Sequence, residues 1–596
     1  MAESPLIDSD AVIRVSVTCD GAPLDAAAEL ISVTVRREIN MVPSARLVLA
    51  DGDMPDAKFP LSDEATFAPG AAITIAAGYG DEEKTIFEGI VVRHGVHVTG
   101  NNDARLIVEC RDKAVKMTLG RRNANHVDKK DSDILQALAG AHGLSADVEA
   151  TSIQHKSMVQ HYCSDWDFAL ARAEANGMVV TPKDGSFVVK APDAAAEAVL
   201  KVTYGIDIVE FHADMDARTQ FAKAKATAWD PKTQAVVAGS EADPAALTAQ
   251  GNLSGATLAG VGAAGTLRLQ TPVASTADVL TAWAKAAQLK AGLARIRGHV
   301  RFQGSALALP GSVLELAGVG DRFNGKVLMT AVEHRIVDGN WTTDAGFGHD
   351  PNWFAERTDI VAPSAAGLLP GVEGLYIGKV KKLDADPEGE NRIQVSVPVL
   401  ETETDGIWAR LMQPYASNAF GAFWLPEVGD EVVLGFFAND PVHPVVLGSL
   451  YSSKLAPPYA LAAENDTKAF VTRTKLKIEF DEKKKVITLT TPGTNKIVLS
   501  DDDKSILLSD QNGNTVKLSD AGIALDTPKD VKITAKGKVT IDAVGEVGIT
   551  SKADVKSAGL NVACEAQVGF TGKGNATAEL SASGQTTVKG AMVMIN

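Results

Sequence analysis

The stretch that decides the fold is VKITAKGKVTIDAVGEVGITSKADVK, Val531–Lys556. Val531, Val539, Val547 and Val555 stand at equal intervals of eight, as do Ile533, Ile541 and Ile549, while Ala535 returns at Ala543 and Gly537 at Gly545. Apolar and polar residues alternate within each octad, the two-residue period of an extended strand with one covered face. The apolar set is odd-numbered up to Gly559 and even-numbered from Leu560 onward, through Val562, Cys564, Val568 and Phe570. A one-residue slip turns every later side chain to the wrong face unless a bulge absorbs it, so the pattern predicts a bulge near Ala558–Leu560. Upstream, Ile506-x-Leu508-Ser509-Asp510, Val516-x-Leu518-Ser519-Asp520 and Ile523-x-Leu525-Asp526 read as short strands, each followed by a polar turn. Short strands with small inward residues cannot enclose a core alone; they stack as repeats or pair with copies of themselves. Val, Ile, Ala and Gly leave only a narrow interior, which suits a slender prism of intertwined chains. An ordinary β-sandwich is the alternative, and the strict octad argues against it because sandwich strands vary in length and spacing.

Toward the N-terminus, YIGKVKKL, RIQVSVPVL, GIWARLMQPYA, GAFWLPEVGDEVVLGFF and PVVLGSLYS give five strand signals between Tyr376 and Ser452. With glycine at several bends they predict a small closed barrel of the OB type. VAPSAAGLLPG, Val361–Gly371, reads as the linker before it. Residues before that linker read as α+β with strands predominating: Ile31–Ile39, Ala45–Gly52, Ala71–Val92 turning near Gly80-Asp81, and Ala104–Asp112. Three helices interrupt them. Asp131–Gly143 opens on Asp and Ser, Ser164–Gly177 pairs an N-cap serine with Asp167, and Thr276–Arg297 places Val279, Leu280, Trp283, Ala287 and Leu289 toward one face. The Ala/Gly-rich residues 237–265 are weakly patterned and read as a long loop or insertion. The expected divisions are 1–365, α+β with strands predominating; 366–455, an OB-fold barrel; 456–473, a linker; and 474–596, a β-prism of intertwined chains. The fold class is therefore mainly β.

At 596 residues the chain is long enough for several domains. Lys and Arg number 58 against 75 Asp and Glu, a net charge of −17 that repels phosphate backbones and argues against nucleic acid or an anionic membrane as main partner. Four cysteines lie far apart without a CxxC, which excludes a disulfide scaffold and a Cys-rich zinc site and suits assembly in a reducing cytoplasm. Neither a Sec-type leader nor a membrane span is expected from the start of the sequence and its apolar stretches, so if the protein leaves the cell another route is needed. His94 and His97 are expected on opposite faces of a strand; His155 and His161 near Cys163 match no metal spacing, and His334 reads as a structural strand histidine. The chain has no HExxH, GxSxG, Walker loop or GxGxxG opening a helix, and Asp501–Asp503 reads as a solvated turn. No catalytic residue, cofactor or metal is expected. A trimeric tailspike enzyme acting on polysaccharide or peptidoglycan is the alternative, but after Phe480 the only aromatic is Phe570. An OB-type nucleic-acid binder would need a basic groove, whereas Trp408, Phe420, Phe423 and Trp424 are flanked by Glu427, Asp430, Glu431 and Asp440. Those aromatics read as barrel core or inter-subunit packing. The ending Met592-Val593-Met594-Ile595-Asn596 breaks the alternation with four apolar residues in succession. It either plugs the end of the prism or forms an apolar docking platform.

Three segments carry a family resemblance. SDWDFALARAEANGMVV (Ser164–Val180) and RGHVRFQGSALALPGSVLELAGVGDRFNGKVLMTAVEHRI (Arg297–Ile336) resemble parts of a phage tail hub domain of the late control protein D type. FGAFWLPEVGDEVVLGFFANDPVHPVVLGSLYS (Phe420–Ser452) resembles the most recognisable stretch of VgrG-type spike proteins of contractile injection systems, with Pro426, Gly429-Asp430-Glu431-Val432, Asp440-Pro441, Pro444 and Gly448 in place. The resemblance implies a homotrimeric structural spike, with a hub ring meeting an Hcp-like inner-tube protein and baseplate proteins. It also implies that residues 1–365 are a β-barrel hub domain, that 366–455 make a neck of OB-fold barrels, and that 474–596 make a puncturing triple-stranded β-helix whose end, Met592–Asn596, meets a PAAR-type tip protein and carries effectors. The segment after the barrel is too short for a lysozyme-sized insertion and the chain is expected to carry no fused toxin. Assembly is expected in the cytoplasm and delivery outside the cell on contraction, with membrane contact only by puncture.

Overall fold

The computed structural model describes every residue except 1, 7–11, 101–102, 194, 246, 248–249, 264, 399–405 and 596. The chain divides into two compact units, Met1–Leu450 and Tyr451–Asn596.

In the first unit one mixed sheet runs through most of the hub. Its path crosses Glu210–Met215, Ile296–Gln303, Asn340–Phe347, Gly325–Val337, Leu30–Glu38, Ser44–Ala50, Ala104–Arg111, Glu82–Val98, Ala72–Tyr79 and Ile13–Cys19. Alternation sets which side chains meet: Val35 stands opposite Ala45 and Leu47 opposite Val108. Together with Ile75 and Phe87 they are fully buried in one core, while Val300, Phe302, Val332 and Ala345 fill a second. A lobe between residues 113 and 190 packs Leu135, Phe168, Ala169 and Phe187 into a third.

The helices start where the capping residues stand. Asp165–Ala175 begins after Ser164, whose Oγ accepts the Asp167 N–H at 3.0 Å and donates to the Asp167 carboxylate at 2.6 Å. Ala277–Leu293 begins after Thr276 and ends four residues short of the expected Arg297, because Ile296 onward is claimed by the strand that pairs with Asn340–Phe347. Its buried stripe is Leu280, Ala284, Ala287 and Ala291, with Val279, Trp283 and Leu289 only half-buried. Ala284 packs on Ala224, Ala226 and Ala228, a close approach that small residues permit. The same smallness explains residues 237–265, which are less loop-like than expected. They contain a five-residue helix, Gly255–Ala259, capped by Ser254, and a bridge from Ala242 to Ala224. At Gly239 a Cβ would lie 2.5 Å from the Thr281 backbone nitrogen, so this segment docks without side chains to signal it.

The barrel is closed by five strands in the order Tyr376–Lys382, Ile393–Ser396, Ile407–Leu411, Pro444–Ser449, Glu431–Phe436. Val380, Ile393, Val395, Ala409, Val432, Leu434 and Val446 fill it. The fourth strand along the chain starts only at Glu431. The preceding residues form a projecting loop instead, since Pro426 lacks an N–H and Gly429 takes φ +96°.

The second unit opens with a seven-stranded antiparallel meander: Thr467–Val471, Lys477–Asp481, Val486–Thr490, Lys496–Ser500, Ser505–Ser509, Thr515–Ser519 and Gly522–Asp526. It corrects two expectations. The sheet starts inside the stretch 456–473 read as linker, and residues 474–526, read as part of an intertwined prism, pair within one chain. Five-residue strands joined by short polar turns are long enough to fold back on themselves.

Candidate functional site

Cross-strand register makes one face of the meander apolar from end to end. Phe470, Ile478, Leu489, Ile497, Leu508, Val516 and Leu525 stand opposite one another in one row. Phe480, Ile487, Leu499, Ile506, Leu518 and Ile523 make a second row on the same face, with Lys468 at its first position. The other face is mixed: Glu479, Thr488 and Lys517 share one row with Val498 and Leu507. The edges are zipped by their turns: Asn495 Oδ1 accepts the Gln511 N–H at 3.0 Å, and Asp510 accepts the Asn514 N–H at 2.8 Å. Large side chains on the apolar face, Ile478, Leu489 and Leu508 among them, remain exposed in the single chain. They are about two-fifths exposed, so covering the remainder is worth roughly 1 kcal/mol each, and a continuous face of them favours association.

Beyond Pro528 every described residue is exposed, including Val531, Ile533, Val539, Ile541, Val547 and Ile549 of the octads. Among these residues no strand pairs within the chain. The backbone bends at 528–529, 536–537, 544–545, 552–553 and 560 at intervals of eight, then at 567–568, 575–576, 583–584 and 591. The one shortened interval, seven residues, follows 560, next to Ala558–Leu560, where the side-chain parity changes. At the end of the chain Met592, Val593, Met594 and Ile595 are 79%, 50%, 76% and 91% exposed, and Asn596 lies outside the described residues.

The histidines serve the hub. His94 is held between Ser62 Oγ at 2.7 Å and the Phe67 carbonyl at 3.0 Å, and His97 is exposed farther along the same strand. His334 is buried, with Nδ1 3.0 Å from Thr343 Oγ1. Burial, then the Arg37 charge, pushes its pKa down to about 3, so the ring is neutral. His155 does not approach a metal constellation; its Nε2 lies 2.9 Å from Asp131 Oδ2, beside Arg172 at 2.7 Å and Asn176 at 2.9 Å. Burial raises the Asp131 pKa, and the Arg172, Asn176 and His155 contacts outweigh it, leaving the carboxyl below its ordinary range. A second buried carboxylate, Asp165, takes Arg122 Nε at 2.6 Å, His142 at 2.7 Å and Gln160 at 2.9 Å. Both clusters tie the ribbon of Arg122–Lys130 and Gln154–Cys163 to the two helices. Sequence reading missed both, because each carboxylate sits at a helix start where an acidic residue looks like ordinary dipole compensation. Among the described residues no three His, Cys, Asp or Glu side chains are grouped to hold a metal ion.

The barrel aromatics are not core. Trp408 is half-buried, and Phe420, Phe423 and Trp424 are exposed on the projecting loop.

Comparison with known proteins agrees with this architecture. Residues 9–338 match the Alg8 N-terminal domain, residues 376–451 the type VI secretion system/phage-baseplate injector OB domain, and residues 486–596 the phage baseplate V C-terminal trimerisation domain. The type VI secretion system spike protein VgrG1a of Pseudomonas aeruginosa is 28% identical over 182 residues, 28% of this chain and 27% of that protein, so the match spans about a quarter of that relative's length. A prophage tail protein from Shewanella oneidensis covers 57% of the chain with 98% of its own length, at 12% identity and a TM-score of 0.43. An E. coli type VI secretion component, described as structurally similar to T4 bacteriophage tail proteins, covers 73% of the chain with 99% of its own length, at 11% identity and a TM-score of 0.39. The barrel and the octad segment fall within the two regions matched to injector OB and phage-baseplate trimerisation domains. The chain belongs to the Alg8 N-terminal domain family, whose model matches residues 9–338.

Proposed function

We propose that the protein acts as a homotrimer that ends an inner tube and punctures a target envelope. The observation that carries this reading is the octad segment, whose apolar residues have no partner inside one chain. Three copies supply the missing core, as the trimerisation-domain match supports. In this reading residues 1–365 form the hub that meets an Hcp-like tube protein and the baseplate, 366–455 form the neck, and the remainder forms the spike. Met592–Asn596 of three chains then make an apolar platform for a PAAR-type tip protein, and effectors travel with it. The platform is preferred over a plug because methionine side chains adapt to an imperfect partner surface. The protein works mechanically and is not itself an enzyme. Its particle assembles in the cytoplasm and leaves the cell on contraction. Light scattering of the purified full chain tests the reading: the expected mass is that of three chains, and a stable monomer with normal β-structure content would overturn it.

A further inference from the structure

The barrel carries an aromatic loop that its own core does not use. Between Leu411 and Glu431 the chain projects Tyr415, Phe420 and Phe423 into solvent, Phe423 with 83% exposure. This loop is rigid. Ala416 and Ser417 pair with Gly421 and Phe420, the Ala422 N–H donates to the Tyr415 carbonyl at 2.8 Å, and the Gln413 amide donates to the Trp424 carbonyl at 2.9 Å. Gly421 takes φ +142°, and a Cβ there would meet the Tyr415 carbonyl oxygen at 2.5 Å, so only glycine permits the approach. The Tyr415 and Phe420 rings lie 5.9 Å apart. A loop built to hold aromatic rings outward is preorganised for contact, which lowers the cost of ordering it on association.

The same barrel presents a complementary face. The strand Tyr376–Lys382 turns Gly378 and Val380 inward, and exposes Ile377, Lys379 and Lys381, with Leu375 just before it. Apolar followed by basic on the strand answers aromatic followed by acidic on the loop, where Glu427 and Asp430 come after Phe423. Two different complementary patches on one surface make a heterologous contact, which closes into a ring when the rotation allows. A trimerisation segment on the same chain would hold three barrels at high effective concentration, so a neighbouring copy reaches this face before any other protein.

The geometry points to an inter-subunit clasp: the loop of one barrel, through Phe420 and Phe423, lies on the Leu375–Ile377 face of the next copy. This inference rests on the trimer reading, and the experiment separates the two. In a full chain carrying Cys564→Ser, which removes the exposed native thiol, Phe423→Cys is combined with Ile377→Cys. Light scattering comes first, and a monomer defeats the trimer reading and the clasp together. In a trimer, mild oxidation should produce disulfide-linked chains that neither single variant produces. The thiol introduced by Phe423→Cys alone should lose its maleimide labelling in the trimer and regain it on unfolding. If that thiol labels as fast in the trimer as in the unfolded chain, the clasp is overturned and the loop is left for a different protein. Protection without cross-linking overturns the Leu375–Ile377 face as its seat.

Discussion

Buried ionisable groups make the hub sensitive to acid. His334 is held neutral with its pKa pushed down to about 3 by burial and then by Arg37. His349 is pushed down to about 4 by burial and then by Lys290, against the opposing charge of Asp350. An unfolded chain protonates both near the ordinary histidine value while the folded hub does not. The stability they supply is therefore complete above pH 6.5 and is lost as pH falls toward 4 and 3, at up to about 1.4 kcal/mol per pH unit per histidine. Asp131 acts in the same direction, since its lowered pKa contributes stability that disappears as the carboxyl is protonated. The melting temperature of the hub should fall steadily on acidification through this window. His334→Gln, which keeps an amide for Thr343, should flatten the fall, and an unchanged pH profile in that variant would show that His334 is not its source.

At the scale of elements, two ways of using short strands stand side by side. The meander from Thr467 to Asp526 satisfies its backbone within one chain and leaves one apolar face open. Among the described residues the octads beyond it form no strand pair within the chain, and they bend every eight residues. In the proposed prism each octad is one interchangeable layer, so register matters more than length. Deleting the octad Val539–Glu546 should leave an assembled trimer with a shorter spike. Deleting Thr540 alone moves every later side chain by one position and turns the apolar set outward until the irregularity at Ala558–Leu560, so assembly should be lost or sharply reduced. Size-exclusion chromatography with light scattering distinguishes them, and equal assembly of the two variants would show that the octads are not the pairing unit.

For the molecule as a whole, the proposed function turns on residues 592–596. Met592, Met594 and Ile595 are each more than three-quarters exposed in the single chain. If they dock a tip protein, Met592→Asp with Met594→Asp should leave the trimer intact and abolish co-purification of that partner, because burying unpaired charge at an apolar contact is costly. Wild-type recovery of the tip protein with this variant would leave the residues as a plug for the prism interior.

Sequence alone determined what depends on neighbours along the chain. The octad interval, the parity change at Gly559, the number of barrel strands and the Ser164 and Thr276 helix starts all follow from local periodicity and capping chemistry. The family resemblance was legible for the same reason, since its motifs are turns and strand ends of fixed spacing. Tertiary structure alone decided which partners those elements took. Asp131 meets Arg172 across 41 residues, a contact no local pattern announces. Thr467–Asp526 pairs in cis because its turns let five-residue strands return on themselves, whereas alternation by itself is equally compatible with pairing between chains. The exposed Phe420 and Phe423 show the same limit. An aromatic residue between strands reads as core until the barrel is seen to close without it, around Val380, Val395 and Leu434.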